Sequence, residues 1–152
     1  MHNFSDVREL LHHNQRFHDR ASLYYRELAS KVSDERVRML LDTLSTHEVI
    51  LSNELKRYVE QAPDAILNTY YQFDHEYDVN ELFAIASAPH ECNVNDIEQL
   101  ATRLDDYLQT LYSKMAQGVD SENVREVFEN LSNHMQEEKK KLSTDLYSML
   151  DI

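Results

Sequence analysis

The sequence predicts an all-α protein in which four long helices form two antiparallel hairpins joined by a long crossover. Three observations lead to this fold class. One Gly and two Pro among 152 residues leave almost nothing to break helices. Apolar residues recur at helical spacing through four long stretches, and both prolines fall in the middle of the chain. The length suits one domain with a sizeable core, so we expect a single domain over residues 1–152.

The first two predicted helices make the first hairpin. The first helix should start near Ser5 or Asp6, because Asp6 with Glu9 three residues later resembles a capping box. Ser33 is the expected N-cap of the second helix. That helix should stop at Ala62, because Pro63 cannot continue it. The short loop between two long helices implies an antiparallel pair.

The crossover is expected over Pro63 to Asn93 and contains both prolines of the chain, Pro63 and Pro89. Residues 64–73 are expected to form a short helix. Asp78 with Glu81 resembles a capping box that opens another helix, ending before Pro89. The crossover is rich in aromatic residues, which argues for an ordered segment rather than a flexible linker.

The second hairpin is predicted from the same kinds of signal. The third long helix should start near Asn95, with Glu98 completing a capping box, and end at Gly118. Asp120 or Ser121 is the expected N-cap of the fourth long helix. A long link between the hairpins allows the third helix to run parallel to the second.

The two halves of the chain resemble each other at an offset of 87 residues. The segment Leu44–His47 corresponds in this way to Leu131–His134. These correspondences indicate a duplicated hairpin. The other matched positions are Phe17 with Leu104, His18 with Asp105, Tyr25 with Tyr112, Val32 with Val119, Val37 with Val124, Leu41 with Phe128, and Leu55 with Leu142.

A carboxylate interrupts the apolar seam of two predicted helices. Glu48 stands at a heptad position of the second helix, and Glu138 stands at one of the fourth. An unpaired carboxylate is costly to bury, so each must be paired, protonated, hydrated or bound to a metal. We expect both inside the bundle, near each other and near His18.

The order of hairpin, crossover and hairpin, with these lengths, resembles the ferritin-like and rubrerythrin-like four-helix bundles. That resemblance implies two iron or manganese ions, held by a Glu on the first and third helices and Glu-x-x-His on the second and fourth. This sequence departs from the pattern. The second helix keeps Glu48 but has Leu51 at the histidine position, and the fourth has Met135 and Glu138 at the glutamate and histidine positions.

The remaining ligand positions also differ from the family pattern. The first helix offers Gln15, or Asn14 and His18 nearby, where a Glu is expected, and the third offers Asp105 or Asp106. We therefore do not expect a normal dinuclear ferroxidase or peroxidase site.

Two interpretations of these polar residues stay open. In the favoured one they form a structural polar layer, in which His18 pairs with a carboxylate. In the other they hold a single Fe, Mn or Zn ion, because His134 and Glu138 are four residues apart on one helix. The candidate ligands are Glu48, Glu138, His134, His18, His47 and Asp105.

Composition limits the functions further. The net charge of −13 argues against binding to nucleic acid or anionic membranes. No secretory signal or bilayer-spanning run is recognisable, and the single cysteine, Cys92, suits a reducing compartment, so we expect a cytoplasmic protein. Two functions follow: a non-catalytic helical protein that works by association, expected to dimerise, or a metal-binding oxidoreductase-like protein. We favour the first.

Overall fold

The computed structural model describes residues 2–75, 79–85 and 87–150, with the side chains of residues 6–70, 79–85 and 87–144. Its four long helices are α1 (Val7–Ala29), α2 (Glu35–Gln61), α4 (Val94–Gly118) and α5 (Glu122–Leu150). A short helix, α3, covers Asp64–Leu67. Residue contacts divide the chain into two compact units, Met1–Ile97 and Glu98–Ile152.

The first unit contains the predicted antiparallel hairpin of α1 and α2. Asp6 is the N-cap of α1, and its side chain accepts a hydrogen bond from the Glu9 amide at 2.9 Å, as the capping-box signal predicts. The prediction of Ser33 as the N-cap of α2 is wrong by one residue. Asp34 caps α2 by accepting from the Arg36 amide at 2.8 Å. The helix ends at Gln61 with Ala62 as its C-cap, next to Pro63.

The crossover differs from its prediction. Of the short helix expected over residues 64–73, only the first turn forms. The chain then becomes a strand, β2 (Tyr70–His75), which pairs antiparallel with β1 (His2–Asp6). This pairing ties the N-terminus of the chain to the crossover, because the two segments satisfy each other's backbone groups.

Two 3₁₀ helices complete the crossover, Val79–Phe83 and Pro89–Glu91. The first occupies part of the second predicted crossover helix, whose proposed cap, Asp78, lies outside the described residues. Phe83 anchors this segment on α1: its ring centre lies 5.6 Å from that of Phe17 and 5.4 Å from that of Tyr24, and the Arg20 guanidinium is 4.3 Å from the ring centre.

The second unit contains α5 and all of α4 except its first turn. The N-cap of helix α4 lies two residues earlier than expected, because Asn93 rather than Asn95 makes the capping box. The Asp96 amide donates to Asn93 Oδ1 at 2.9 Å, and the Asn93 amide donates to Asp96 Oδ2 at 3.1 Å. The helix ends at Gly118 as predicted, and α5 follows Ser121 directly.

The two hairpins repeat the same internal contacts at an offset of 87 residues. Arg38 Nε and Nη2 donate to the carbonyls of Ala29 and Val32 at 3.2 and 3.1 Å. In the second hairpin, Arg125 Nε and Nη2 donate to the carbonyls of residues 116 and 119 at 3.2 and 3.0 Å. In each case one guanidinium satisfies carbonyl groups at the end of the preceding helix.

A second contact recurs at the same offset with altered chemistry. In the first hairpin Ser52 Oγ donates to Asp19 Oδ1 at 2.5 Å. At the equivalent positions of the second hairpin, Lys139 Nζ lies 3.3 Å from Asp106 Oδ1. With the buried tyrosines Tyr25 and Tyr112, these contacts support the duplicated hairpin that the sequence indicates.

Within the described part of the chain, no helix combines the length and apolar character needed to cross a bilayer.

Candidate functional site

A buried histidine–carboxylate pair links the two helices of the first hairpin. His18 on α1 and Glu48 on α2 lie opposite each other because the helices are antiparallel. His18 Nδ1 is 2.5 Å from Glu48 Oε2, and the two side chains are 2% and 5% exposed. With Glu48 as the carboxylate, the Nδ1–H group is the donor and the oxygen accepts. The sequence-based prediction that Glu48 is buried and pairs with His18 is confirmed.

The pair belongs to a row of polar contacts between α1 and α2. On one side, the Ser22 and Ser45 hydroxyl oxygens lie 3.0 Å apart, and Ser45 Oγ also donates to the Ser22 carbonyl at 3.0 Å. On the other side, Ser52 donates to Asp19. The sequence analysis missed Ser22, Ser45 and Ser52. The available signal was the spacing of Ser45 and Ser52, three residues before and four residues after Glu48 on one helix face.

This row of contacts accounts for a carboxylate in an apolar seam. Moving an ionised carboxylate out of water is costly unless a donor replaces the lost hydration, and the imidazole of His18 supplies that donor. The Phe17 ring stands edge-on to His18, with centres 6.5 Å apart. The short contact and its burial make the pair a fixed structural element rather than a solvated ion pair.

Asn14 is a further polar group in the core, one turn before His18 on α1. It is 0% exposed, and neither its Oδ1 nor its Nδ2 atom has a hydrogen-bond partner among the described residues. A buried amide in this state costs stability unless a water or ion completes its bonding. The sequence offered Asn14 near the ligand position of the first helix but did not show that its amide would lack a partner.

The other four candidate ligands are less buried than the pair. The side chains of His47, Asp105, His134 and Glu138 are half-buried, and each has an interaction of its own. The expectation that Glu138 is buried is therefore wrong: it reaches solvent because its seam position lies at the margin of the α5 apolar face. Its predicted proximity to Glu48 stays a prediction. Among the described side chains, no group of three or more His, Cys, Asp or Glu is arranged to hold a metal ion.

Burial changes the acidity of two groups outside this row. Burial raises the pKa of the Cys92 thiol, and the nearby carboxylate of Asp96 raises it further. Cys92 is a free, buried thiol, and both effects disfavour its thiolate form. Burial also raises the pKa of the Tyr58 hydroxyl. Three other tyrosines, Tyr25, Tyr107 and Tyr112, are buried in the core.

The fold is that of the ferritin-like proteins, as the sequence pattern predicts. The structure is similar to the crystal structure of a protein from Thermotoga maritima described as a ferritin-like diiron-carboxylate protein, with a TM-score of 0.60 and 15% sequence identity over 95% of each chain. No protein-family model and no curated protein matches the sequence. At this identity the similarity establishes the shared fold and leaves the chemistry to the residues of this chain.

Two positions that the family resemblance assigns to metal ligands carry apolar residues in this chain. Leu51, at the histidine position of the α2 motif, is 3% exposed and apolar. Met135, at the glutamate position of the α5 motif, is 7% exposed and apolar. Iron and manganese in such centres require carboxylate and imidazole ligands at these positions. Glu48, the carboxylate at the glutamate position of the α2 motif, already accepts a hydrogen bond from His18.

Proposed function

We propose that this chain is a ferritin-like helical protein without the di-metal centre, which works by association with itself or another protein rather than by catalysis. The observation that carries the proposal is the buried His18–Glu48 contact. The carboxylate that the fold uses as a metal ligand is engaged here by a side chain of the same hairpin. Leu51 and Met135 support the proposal, because they place apolar groups where ligands would be needed.

The test measures the metal content of protein purified without chelators. We expect less than about a tenth of an Fe, Mn or Zn ion per chain, against the near-full occupancy of a folded metal site. We also expect added Fe(II), Mn(II) or Zn(II) to leave the thermal unfolding temperature unchanged. A bound ion at 100 times its dissociation constant would stabilise the fold by roughly 2.7 kcal/mol.

The matched control is Glu48→Gln, which keeps the shape of the side chain and removes its charge. If the parent contains stoichiometric metal and this variant contains none, the proposal is wrong and the site is a working metal centre. If the variant differs from the parent only in stability, the structural role of Glu48 is supported.

A second candidate function is a metal-binding, oxidoreductase-like protein with one ion at an altered site. The orphaned amide of Asn14 favours it, because an amide oxygen one turn from His18 is available as a hard ligand. Asn14→Leu separates the two candidates. It should leave stability equal or higher if the amide is merely buried, and it should abolish metal-induced stabilisation if the amide is a ligand.

A further inference from the structure

The strand β1 fixes part of the crossover to the first helix. It pairs antiparallel with β2, from His2 opposite His75 to Asp6 opposite Tyr70. Asp6 is also the N-cap of α1, so the helix begins directly where the strand ends. The pairing therefore sets the position of β2 relative to the first turn of α1.

Two further contacts continue this attachment. The Val7 amide donates to the Thr69 carbonyl at 3.3 Å. Arg8 Nη2 lies 3.5 Å from Asp64 Oδ1, but the Asp64 side chain is 87% exposed, and an ion pair so exposed contributes little stability. The attachment of the crossover at this end of α1 therefore depends mainly on backbone hydrogen bonds.

The crossover meets α1 a second time through the 3₁₀ helix Val79–Phe83, which we name the cover segment. Phe83 packs against α1, with its ring centre 5.6 Å from that of Phe17 and 5.4 Å from that of Tyr24. Leu82 and Phe83 are both buried. The cover segment is therefore seated on α1 by apolar side chains.

The cover segment protects the surroundings of the buried histidine–carboxylate pair. The Phe17 ring that Phe83 contacts stands edge-on to His18, with ring centres 6.5 Å apart. Phe17 and His18 are both buried. If the cover segment left α1, the Phe17 ring would be exposed, and water would come within one ring of His18.

Movement of β2 must move the cover segment, because the two are close in the sequence. Only residues 76–78 separate His75, the last residue of β2, from Val79, and a link of this length spans at most about 14 Å. The two attachments to α1 also share one cost in chain entropy, since either of them already confines the chain that the other must order. Loss of the strand pairing therefore weakens the seating of Phe83.

The strand pairing is the part of this arrangement that should open most easily. β1 has five residues and β2 has six, and a two-stranded sheet is marginally stable in water by itself. The α1–α2 hairpin, in contrast, has buried apolar residues along both of its helices. Local opening costs less free energy than global unfolding, so the sheet should open while the hairpin stays folded.

From these observations we propose that β1 is a strap that holds the cover segment closed over the His18–Glu48 pair. In the closed state, the strand pairing and the Phe83 contact together keep the crossover on α1. When β1 and β2 separate, the cover segment leaves α1 while α1 and α2 stay paired, and water reaches His18 and Glu48. Strand pairing at the start of α1 thereby controls access to a polar pair about three turns further along the helix.

The first test removes one backbone donor and leaves the helix in place. Val7→Pro deletes the amide that donates to Thr69, and Pro is favoured at the first position of a helix. Asp6 is already extended, as a residue before Pro must be, so α1 should form normally. Val7→Ala is the matched control, because it shortens the side chain and keeps the amide.

The second test acts on the strap itself. A variant with both Asn3→Pro and Phe4→Pro loses at least one hydrogen bond to β2, since one of two consecutive strand residues directs its N–H group toward the partner strand. Its matched control has Ala at both positions and keeps both amides. Circular dichroism verifies that each variant is folded.

Two measurements follow the opening. Hydrogen exchange with mass spectrometry should show cover-segment amides exchanging at least about tenfold faster in each Pro variant than in its Ala control, with α2 amides unchanged. Carbethoxylation by diethyl pyrocarbonate reports access to His18, with the half-buried His12 as the internal reference. The ratio of His18 to His12 modification should also rise at least about tenfold in the Pro variants.

Three results would overturn the inference. Faster exchange in β2 with an unchanged cover segment would mean that the two attachments are independent. Equal acceleration in α2 and the cover segment would mean that β1 supports the whole hairpin. Modification of His18 as fast as that of His12 in the parent would mean that the pair is not covered.

The parent itself decides the matter if a Pro variant does not fold. Native-state hydrogen exchange in low concentrations of urea needs no substitution. The amides of β2 and of the cover segment should lose protection together, at a lower urea concentration than the amides of α2. Loss of protection in β2 alone, or in all three at once, would contradict the strap.

Discussion

At the scale of single residues, the stability of the first hairpin depends on keeping His18 and Glu48 together. Replacing either with Leu leaves the other polar group buried without its partner, so we expect a loss of about 2–4 kcal/mol for each single variant. Replacing both with Leu removes the polar pair entirely and should cost less than the sum of the single losses by at least about 1 kcal/mol. Equilibrium urea unfolding of the four proteins measures this coupling.

The double-mutant cycle contains its own control. The Ser22–Ser45 contact lies one turn away and should be unaffected. Ser45→Ala should therefore lower the free energy of unfolding equally in the parent and in the variant with Leu at positions 18 and 48. If the stability losses of the two single variants at positions 18 and 48 add up to that of the double variant, the two side chains do not form the contact that the structure describes.

Cys92 gives a second prediction at this scale, concerning pH. Burial and then Asp96 raise the pKa of its thiol, so less thiolate is present at pH 8 than in an unfolded chain. We expect iodoacetamide to modify the folded protein at least about tenfold more slowly than the protein in urea, with the rate still rising above pH 9. Mass spectrometry of the alkylated fraction over time measures both rates.

The sign of the effect on stability follows from the same shift. A thiol whose pKa is raised on folding contributes full stability below the pKa of the unfolded thiol, and that stability is lost as pH rises through the folded value. Asp96→Asn keeps an oxygen acceptor for the Asn93 amide and removes the charge, so it should speed alkylation. Equal rates in folded and unfolded protein would contradict the burial of Cys92.

At the scale of secondary-structure elements, the two arginines at the hairpin turns should be equivalent. Arg38 and Arg125 each donate to two carbonyls at the end of the preceding helix. We expect Arg38→Ala and Arg125→Ala to destabilise the fold by similar amounts, about 1–2 kcal/mol each. Lys variants at the same positions should recover only part of the loss, because one ammonium group lacks the two separated donors of a guanidinium. Thermal unfolding measures the stability of all four variants.

The comparison of the two hairpins is the critical part of that prediction. Arg38→Ala could lower the stability strongly while Arg125→Ala leaves it unchanged. That result would mean that the repeated contact is a coincidence of sequence and not a shared way of ending the first helix of each hairpin.

The helices were the predictable elements of this chain, because their signals are local. Asp6, Ala62 and Gly118 mark helix boundaries through capping and backbone geometry that depend on nearby residues. The N-caps at Asp34 and Asn93 were misplaced by one and two residues, since adjacent Ser, Asp and Asn residues are all competent caps. The strand over Tyr70–His75 was not predicted, because it forms only by pairing with His2–Asp6, more than sixty residues away in the sequence.

The candidate site was predictable in part, because one of its signals is also local. Glu48 interrupts a seam that is otherwise apolar, and periodicity alone shows that position to face the core. The pairing with His18 was a hypothesis that the antiparallel hairpin made reasonable and the structure confirmed. The prediction that Glu138 is buried was wrong. Periodicity gives the direction of a side chain but does not show how far neighbouring residues cover it. The orphaned amide of Asn14 depends on the absence of a partner, which no local pattern reveals.

At the scale of the whole molecule, the fold is ferritin-like, while two positions where the family resemblance implies metal ligands carry apolar residues. The apolar periodicity that builds four long helices tolerates exchange at single seam positions, since hydrophobic residues of suitable volume preserve a core. Leu51 and Met135 are such residues, and they are well buried. Such residues preserve a fold whatever chemistry its site performs, which is why fold similarity alone does not assign an activity.

The last prediction concerns whether the chain unfolds as one unit. The sequence predicts a single domain over residues 1–152, and a domain of this size unfolds in one cooperative transition. Leu41→Ala in the first hairpin and Phe128→Ala in the second change buried residues at equivalent positions, 87 residues apart. Each should cost about 2–5 kcal/mol. In a single cooperative unit, either change should lower the protection of the slowest-exchanging amides in both hairpins equally, as hydrogen exchange with mass spectrometry would measure. Two hairpins that fold separately would lose protection only where the substitution lies, and that result would replace the one-domain description with two domains.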